Sequence, residues 1–274
     1  MLTNVVKKLV LASVAWMAVT SGSVAVAADF PARPVVVAAS APNWAGLYLG
    51  GNIGYGWDSG SVVFPLRAVD PLLAGFVADA TAAGMFPASL SPSAHGVIGG
   101  VQIGYNWLAA SRWVIGLEAD LQASGIKGSA NQTMMPLFFD PTATGVTKSI
   151  GWFGTVRGRV GFLIDPQWLI YATGGLAYGE TKLGFNTIDV PFGCLVGGTI
   201  CANSTSSAVR VGWTVGAGVE AMLTPNWSFK LEYLYVDLGR RTADMPATTA
   251  PLIFGTSAGF REQIVRIGFN YHFN

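Results

Sequence analysis

Charged side chains of both signs recur in this chain at a spacing of two residues, inside stretches that otherwise alternate apolar and small residues. Successive side chains of a β-strand point to opposite faces, so this spacing puts the charges of each strand on one face. Carboxylates and cations collected in this way can form ion pairs, and an unpaired buried charge is expensive. The residues are Glu118, Asp120, Arg157, Arg159, Arg210, Glu220, Lys230, Glu232 and Arg266.

The only two cysteines of the chain lie close together and suggest a disulfide. Cys194 and Cys201 flank a pair of glycines, Gly197 and Gly198, that can turn tightly. In an oxidising compartment such a pair can close a small loop. The spacing differs from that of a redox CxxC motif, and no histidine stands nearby, so we predict no metal site here.

Hydrolytic chemistry has little support in the sequence. Enzymes that transfer acyl groups commonly place a histidine beside a nucleophile, and the chain has only His95 and His272. Along the strands predicted below, these two histidines stand at opposite ends, on the order of 25 Å apart, and cannot serve one site. We therefore predict that the protein is not an enzyme.

Eight alternating segments must position the charged residues. In the last segment one face carries Val265, Ile267, Phe269, Tyr271 and Phe273, whereas the other carries Arg266, Asn270 and His272. Short connections alternate with long ones (58–94, 125–149, 180–207 and 239–260), as in transmembrane β-barrels with short periplasmic turns and long extracellular loops. The sequence thus predicts an all-β fold, an eight-stranded antiparallel up-and-down transmembrane barrel with four long extracellular loops. The predicted strands are 44–57, 95–107, 113–124, 150–162, 168–179, 208–222, 227–238 and 261–273.

The start of the chain and its composition both favour export. Residues 1–28 combine two lysines, an apolar stretch and a small-residue end, which predicts a signal peptide. The proline-rich residues 29–43 are predicted to form a periplasmic tail, and residues 44–274 are predicted to form the barrel. Only 11% of residues are charged and 51% are hydrophobic, against about 25% charged in soluble proteins. The sequence contains no basic patch that would indicate nucleic acid as a partner.

Aromatic residues cluster at both ends of the predicted strands, as expected where strands cross the two surfaces of a bilayer. Lysine or arginine on the lipid face would cost about 2–4 kcal/mol near mid-membrane, so the charges must point inward. They line either a charged pore or a salt-bridged plug, and a narrow eight-stranded lumen favours the plug. The turn-side girdle is Trp44, Trp107, Trp113, Phe162, Trp168, Trp227 and Phe273, and the loop-side girdle is Tyr55, Trp57, Trp152, Tyr178 and Tyr235.

Six segments give the chain a specific resemblance. They are WAGLYLGGNIGYGW (44–57), GVQIGYNW (100–107), VRGRVGF (156–162), GAGVE (216–220), LEYLYVDL (231–238) and VRIGFNYHF (265–273). The chain resembles the small outer-membrane β-barrel proteins of alpha-proteobacteria, the porin-family or opacity-like surface antigens, over nearly all its mature length.

The resemblance implies a location in the outer membrane of a Gram-negative bacterium, with membrane lipid and the barrel-insertion machinery as partners. It also implies an insertion signal formed by Phe269, Tyr271 and Phe273, although Asn274 follows the closing aromatic residue here. Some members of the family bind hemin, which would make heme a ligand and not a resident cofactor.

The predicted loops are unusually apolar, and two interpretations remain open. They form either an exposed adhesive surface for a partner or apolar ligand, or a cap in which the loops pack on one another. In the first loop, Asp70 could cap a short helix whose apolar residues share one face. Those residues are Leu72, Leu73, Phe76, Val77 and Ala80. Candidate ligand contacts are His95, Phe138, Phe139 and Phe254.

Together these features predict a structural, surface-exposed, non-catalytic outer-membrane barrel whose lumen is plugged by ion pairs. The alternatives are a passive porin-like channel and a hemin-binding surface receptor.

Overall fold

The fold is a closed antiparallel barrel, seen in a computed structural model that describes residues 43–58, 60–137, 140–190, 201–248 and 251–273. These ranges contain twelve strands and one α-helix, α1 (Ala74–Ala82). No helix in them has the length and hydropathy to cross a membrane. The strands are β1 (Gly46–Asp58), β2 (Val62–Val63), β3 (Leu66–Ala68), β4 (Ser89–Leu90), β5 (Ala94–Ala110), β6 (Trp113–Ser124), β7 (Lys127–Met134), β8 (Thr142–Asp165), β9 (Trp168–Asp189), β10 (Ala202–Met222), β11 (Trp227–Pro246) and β12 (Leu252–Phe273).

Eight of these strands form the ring, in the order β1-β5-β6-β8-β9-β10-β11-β12. Strand β12 closes it by pairing with β1, from Leu47 opposite Phe273 to Trp57 opposite Gln263. The pairings within the ring are antiparallel and, apart from this closure, link ring strands that follow one another in sequence. Strand β12 also pairs with the short strands β2 and β3 of the first connection. The predicted all-β, up-and-down barrel is confirmed.

Apolar and polar residues alternate between the outside and the inside of the ring, as the sequence predicts. On β12, Val265, Ile267 and Phe269 face outward with at least 40% of their surface exposed. Arg266 and Asn270 face inward and are at most 1% exposed. A wall that is apolar on its outer surface and polar within is the pattern of a barrel that sits in lipid.

The strands reach further than predicted, and much of the predicted loop regions is sheet. Strand β8 begins at Thr142 instead of residue 150, and β9 continues to Asp189 instead of ending at 179. The alternation of apolar and polar residues continues in these extensions, but here the apolar side chains point inward and the polar ones outward. On β9, Leu183 and Phe185 point inward and Lys182 and Asn186 point outward. Above the membrane the outer face of the barrel contacts water and carries polar residues. Strand ends that are predicted from apolar outward residues therefore fall short of the true ends.

The first long connection carries the predicted helix in altered form. The side chain of Asp70 accepts a hydrogen bond from the Leu72 amide at 2.9 Å. A 3-10 turn, Pro71–Leu73, follows this cap and leads into α1. Ala80 is buried, but Leu72 is 89% exposed. The prediction that Leu72 shares the buried face is therefore wrong, because the 3-10 turn rotates it away from the face that α1 buries.

Trp44 also corrects the prediction. It is only 2% exposed and donates a hydrogen bond from its indole Nε1 to the Pro166 carbonyl at 2.9 Å. It therefore closes the interior at the turn end and is not part of the lipid-facing girdle. Trp107, Trp113, Trp168 and Trp227 remain there, each 46–49% exposed.

Several predicted features lie outside the described residues. They are the signal peptide (1–28), all of the predicted tail (29–43) except Asn43, and Phe138, Phe139 and Cys194.

The Cys194–Cys201 disulfide stays a prediction, since only Cys201, which is buried, is described. In protein extracted from native membranes, we expect no alkylation of either cysteine until reductant is added. Such a bridge should stabilise the fold by at most a few kcal/mol, because the loop it closes is short. Intact-mass analysis with and without reductant makes the measurement, and two free thiols in the unreduced sample would refute the bridge.

Candidate functional site

The barrel interior holds eight of the nine predicted charged residues in one cluster, which we call the ion-paired layer. Five of the ring strands supply them, each from inward positions of its alternating pattern. None is more than 5% exposed. The members are Glu118, Asp120, Arg157, Arg159, Glu220, Lys230, Glu232 and Arg266.

Arg157 contacts three of the four carboxylates of the ion-paired layer. Its Nη2 contacts Glu118 and lies 3.0 Å from Asp120 Oδ2, and its Nη1 lies 3.0 Å from Glu232 Oε1. Arg266 joins the same three acids, with Nη2 3.0 Å from Asp120 Oδ2, 2.6 Å from Glu232 Oε2 and 3.6 Å from Glu118 Oε1. One guanidinium thus meets three carboxylates from two strands, which its planar fork of donors allows.

The other two cations complete the balance of charge. Arg159 Nη2 lies 2.6 Å from Glu220 Oε2, and its guanidinium stacks over the Tyr171 ring at 4.2 Å. Lys230 Nζ lies 2.9 Å from Glu118 Oε2. The layer therefore contains four carboxylates and four cations in mutual contact.

Neutral side chains donate further hydrogen bonds to carboxylates of the ion-paired layer, and the sequence analysis did not single these side chains out as partners. The hydroxyl of Tyr48 donates to Glu118 at 2.7 Å, and that of Tyr171 donates to Glu232 at 3.0 Å. Ser228 and Asn270 both donate to Glu220, at 2.6 and 2.7 Å. The alternation of each strand was enough to predict that these side chains point inward. Which carboxylate each one contacts depends on the register between strands that are far apart in the chain.

Arg210 does not belong to the ion-paired layer, which corrects the prediction. It lies near the middle of β10, where its Nη2 donates to the Arg240 carbonyl at 2.8 Å. Among the described residues, no carboxylate lies within ion-pair distance of it. Ten residues along the strand from Glu220, it lies too high in the barrel to reach the other charges.

Apolar residues close the interior below and above the ion-paired layer. The lower apolar layer consists of Trp44, Val114, Leu163, Leu169, Tyr171 and Met222, each at most 8% exposed. The upper apolar cluster joins inward residues of the ring, such as Ile98 and Phe153, to residues of the first connection, such as Phe64 and Met85.

The upper apolar cluster continues into the strand extensions, where three rings pack together. The centroid of Phe254 lies 5.0 Å from that of Phe86 and 4.9 Å from that of Phe185. The apolar residues of the predicted loops thus pack largely on one another. Of the two interpretations that the sequence left open, this geometry is that of a cap.

The candidate ligand contacts are not brought together. His95 is exposed on the outer wall, with its ring 6.2 Å from that of Tyr55, whereas Phe254 is fully buried in the upper apolar cluster. The two side chains point to opposite sides of the barrel wall and cannot line one hemin pocket. Within the described ranges, no three His, Cys, Asp or Glu residues are grouped as a metal ion would require.

The residues of the predicted insertion signal lie together on the outer wall. Phe269, Tyr271 and Phe273 are 37–51% exposed on the last strand, and the rings of Tyr271 and Phe273 are 5.0 Å apart. Their recognition by insertion machinery stays a prediction.

Comparisons with known proteins identify the family. The model of the outer membrane protein β-barrel domain matches residues 17–273. The 31 kDa outer-membrane immunogenic protein of Brucella melitensis is 35% identical over 97% of this chain and 100% of its own. The 22 kDa outer membrane protein of Rhizobium leguminosarum is 34% identical over 65% of this chain and 67% of its own. The crystal structure of OprG from Pseudomonas aeruginosa aligns with 84% of this chain and 97% of its own, at TM-score 0.44 and 12% identity.

The family match and the Brucella and Rhizobium relatives confirm the predicted location in the outer membrane and the resemblance to alpha-proteobacterial surface proteins. The chain belongs to the outer-membrane protein β-barrel family.

Proposed function

We propose that this outer-membrane surface protein is a closed structural barrel that neither conducts solutes nor catalyses a reaction. The observation that carries the proposal is the ion-paired layer of four cations and four carboxylates, enclosed between two apolar layers. Removing one partner of such a buried pair leaves an uncompensated charge, so the layer resists opening. An eight-stranded barrel also leaves little room for anything but side chains.

A passive channel is less well supported. A water-filled path would have to separate the contacts that Arg157 and Arg266 make with three acids. It would also have to displace Trp44 below and the packed phenylalanines Phe86, Phe185 and Phe254 above. These barriers lie in series, so opening one of them leaves the path blocked.

One polar cluster resembles a hydrolytic triad but lacks its geometry. Ser228 Oγ lies 3.0 Å from His272 Nε2 and donates to Glu220, and His272 Nδ1 has no hydrogen-bond partner. A catalytic histidine uses one ring nitrogen for the nucleophile and the other for the acid. All three side chains are fully buried, so a substrate could not reach them. These features support a non-catalytic role.

The contact surface offered to the cell exterior is the outside of the cap. Most of its apolar residues are packed inward, but Leu72, Met135 and Leu137 are 80–93% exposed. We assign any contact with a surface partner or apolar ligand to these three exposed side chains, because leaving large apolar groups in water is costly.

Cysteine accessibility tests the closed, surface-displayed barrel. With a membrane-impermeant maleimide, we expect Leu72→Cys to be labelled on intact cells. Leu223→Cys, in an exposed turn at the other end, should be labelled only after the outer membrane is permeabilised. Ala177→Cys, fully buried in the upper apolar cluster, should resist labelling from both sides. Wild type reports the background from the native cysteines, and fast labelling at position 177 in the folded protein would contradict a closed lumen.

A further inference from the structure

The wall of the barrel opens between β10 and β11 on the loop side of the membrane. The two strands pair no higher than Trp213 opposite Asp237, although both continue well beyond this level. The Trp213 ring lies 5.4 Å from that of Tyr235, so the pairing ends at the loop-side girdle. The strands meet again further up, where the Thr248 amide donates to the Cys201 carbonyl at 2.7 Å. We call the opening between these two contacts the side window.

Solvent reaches the inner face of β10 through the side window. Ser204 and Ser206 lie directly opposite two inward residues of β9, Phe185 and Leu183, and therefore also point into the barrel. Phe185 and Leu183 are buried, whereas the two serines are only half-buried. The inner face of β10 is thus open to a solute from outside the cell.

Two arginines reach across the side window from its two edges. From β10, Arg210 Nη2 donates to the Arg240 carbonyl at 2.8 Å. From β11, Arg241 donates to the Thr181 carbonyl at 2.7 Å and to the Ser206 hydroxyl at 2.5 Å. Burial, and after it the charge of Arg210, lower the pKa of Arg241. The two guanidinium groups therefore lie close enough to repel each other.

The protein supplies no acid to balance these two charges. In the described ranges, no carboxylate lies within ion-pair distance of Arg210 or Arg241. Asp237, at the lower edge of the window, is already paired with Arg261 at 3.3 Å. The internal segments outside the described ranges contain no aspartate or glutamate. The balancing charge must therefore come from the medium or from a ligand, since two close cations without an anion are unfavourable.

Both arginines keep donors that the protein does not use. Arg210 Nε is buried and has no hydrogen-bond partner in the described part of the chain. A guanidinium carries five N–H donors, and Arg241 bonds only to oxygens of Thr181 and Ser206. Paired guanidinium donors match the several oxygens of a phosphate, and serine hydroxyls can donate to the same group.

We propose that the side window binds the phosphate group of a soluble molecule in the medium outside the cell. Two cations without an acid match the charge of a phosphate monoester better than the single charge of a carboxylate. Because Arg210 and Arg241 occupy inward positions, a solute that enters the window meets them and a headgroup beside the outer wall does not. The site lies above the ion-paired layer, so it can fail without affecting the proposed function.

Calorimetric titration of the refolded protein in nonionic detergent with glycerol 3-phosphate tests the site, and glycerate is the carboxylate comparison. We expect wild type to bind the phosphate at least about tenfold more tightly than the carboxylate. Arg210→Gln and Arg241→Gln should each weaken phosphate binding at least about tenfold, because each removes charge-assisted hydrogen bonds.

Arg240→Gln is the matched control, since it removes the same charge from an exposed neighbour and should bind the phosphate as wild type does. The proposal is overturned if wild type does not bind the phosphate or binds glycerate equally well. It is also overturned if Arg210→Gln keeps the wild-type affinity, or if Arg240→Gln loses as much. Heat-dependent gel migration shows which variants are folded, and Arg210→Gln decides alone if Arg241→Gln is not.

A lipid competitor separates a soluble phosphate from a membrane headgroup. Phosphatidic acid added to the micelles in molar excess over the protein should leave the affinity for glycerol 3-phosphate unchanged. Displacement of glycerol 3-phosphate by this lipid would show that a headgroup fills the side window, and would contradict a site for solutes.

Discussion

Replacing Arg157 with alanine should lower the free energy of unfolding of the barrel by about 3–5 kcal/mol, as expected when one partner of a buried ion pair is removed. The substitution leaves Glu118, Asp120 and Glu232 facing one another with fewer cations, in an interior that water does not reach. Arg157→Lys should also be destabilising, because an ammonium cannot bond three carboxylates with the geometry of a guanidinium. Urea titration of the protein refolded in lipid vesicles measures both changes.

Arg261→Ala is the matched control for this prediction. Arg261 also pairs with an acid, since its Nε lies 3.3 Å from Asp237, but its side chain is 63% exposed. An exposed pair contributes about 0–1 kcal/mol, so this variant should unfold close to wild type. If Arg157→Ala were no more destabilised than Arg261→Ala, the ion-paired layer would not hold the barrel together.

Replacing Phe254 with alanine should open the cap while leaving the ring folded. Phe254 is fully buried and contacts two other rings, and deleting such a side chain costs about 3–5 kcal/mol. The loss should act locally, because the cap rests on a ring held by its own backbone ladder and by the ion-paired layer. Cleavage of the cap through local opening should then speed up on the order of hundredfold.

Limited proteolysis of the refolded protein in vesicles measures this rate. Gel migration before and after heating reports separately whether the ring persists. Leu72→Ala serves as the control, since its side chain is 89% exposed and should leave the rate unchanged. A Phe254→Ala variant as resistant to protease as wild type would show that the packed phenylalanine rings do not hold the cap.

The ring could be predicted from the sequence because lipid imposes a strong rule on its outer face. Val265, Ile267 and Phe269 could only be tolerated outward, and Arg266 between them could only point inward. The same rule indicated the faces of Glu118 and Arg157 before any contact was known. The lipid rule does not show which charged side chains pair across the lumen, because that depends on the stagger of strands that are far apart in the chain. The sequence therefore predicted an ion-paired interior but not that Arg157 would contact three of the four carboxylates.

The errors arise where the rule of lipid exposure stops. Leu183 and Phe185 point inward and Lys182 outward because water surrounds the upper part of the wall, so a strand extension looked like a loop. Trp44 has the residue type of a girdle, but it precedes β1 and folds under the barrel, where it donates to Pro166. Arg210 lies on the inward face of its strand, as predicted, but too far along the strand to reach the ion-paired layer. The alternation of residues indicates which face a side chain is on and not its position along the barrel axis.

Planar-bilayer recording of the purified, refolded wild-type monomer measures most directly whether the barrel interior is closed. With the ion-paired layer and both apolar layers in place, we expect the current to stay at baseline under applied voltage, without steady steps of porin size. Stable steps on the nanosiemens scale from the folded monomer would contradict the closed barrel, because ions would then be crossing the level of Arg157.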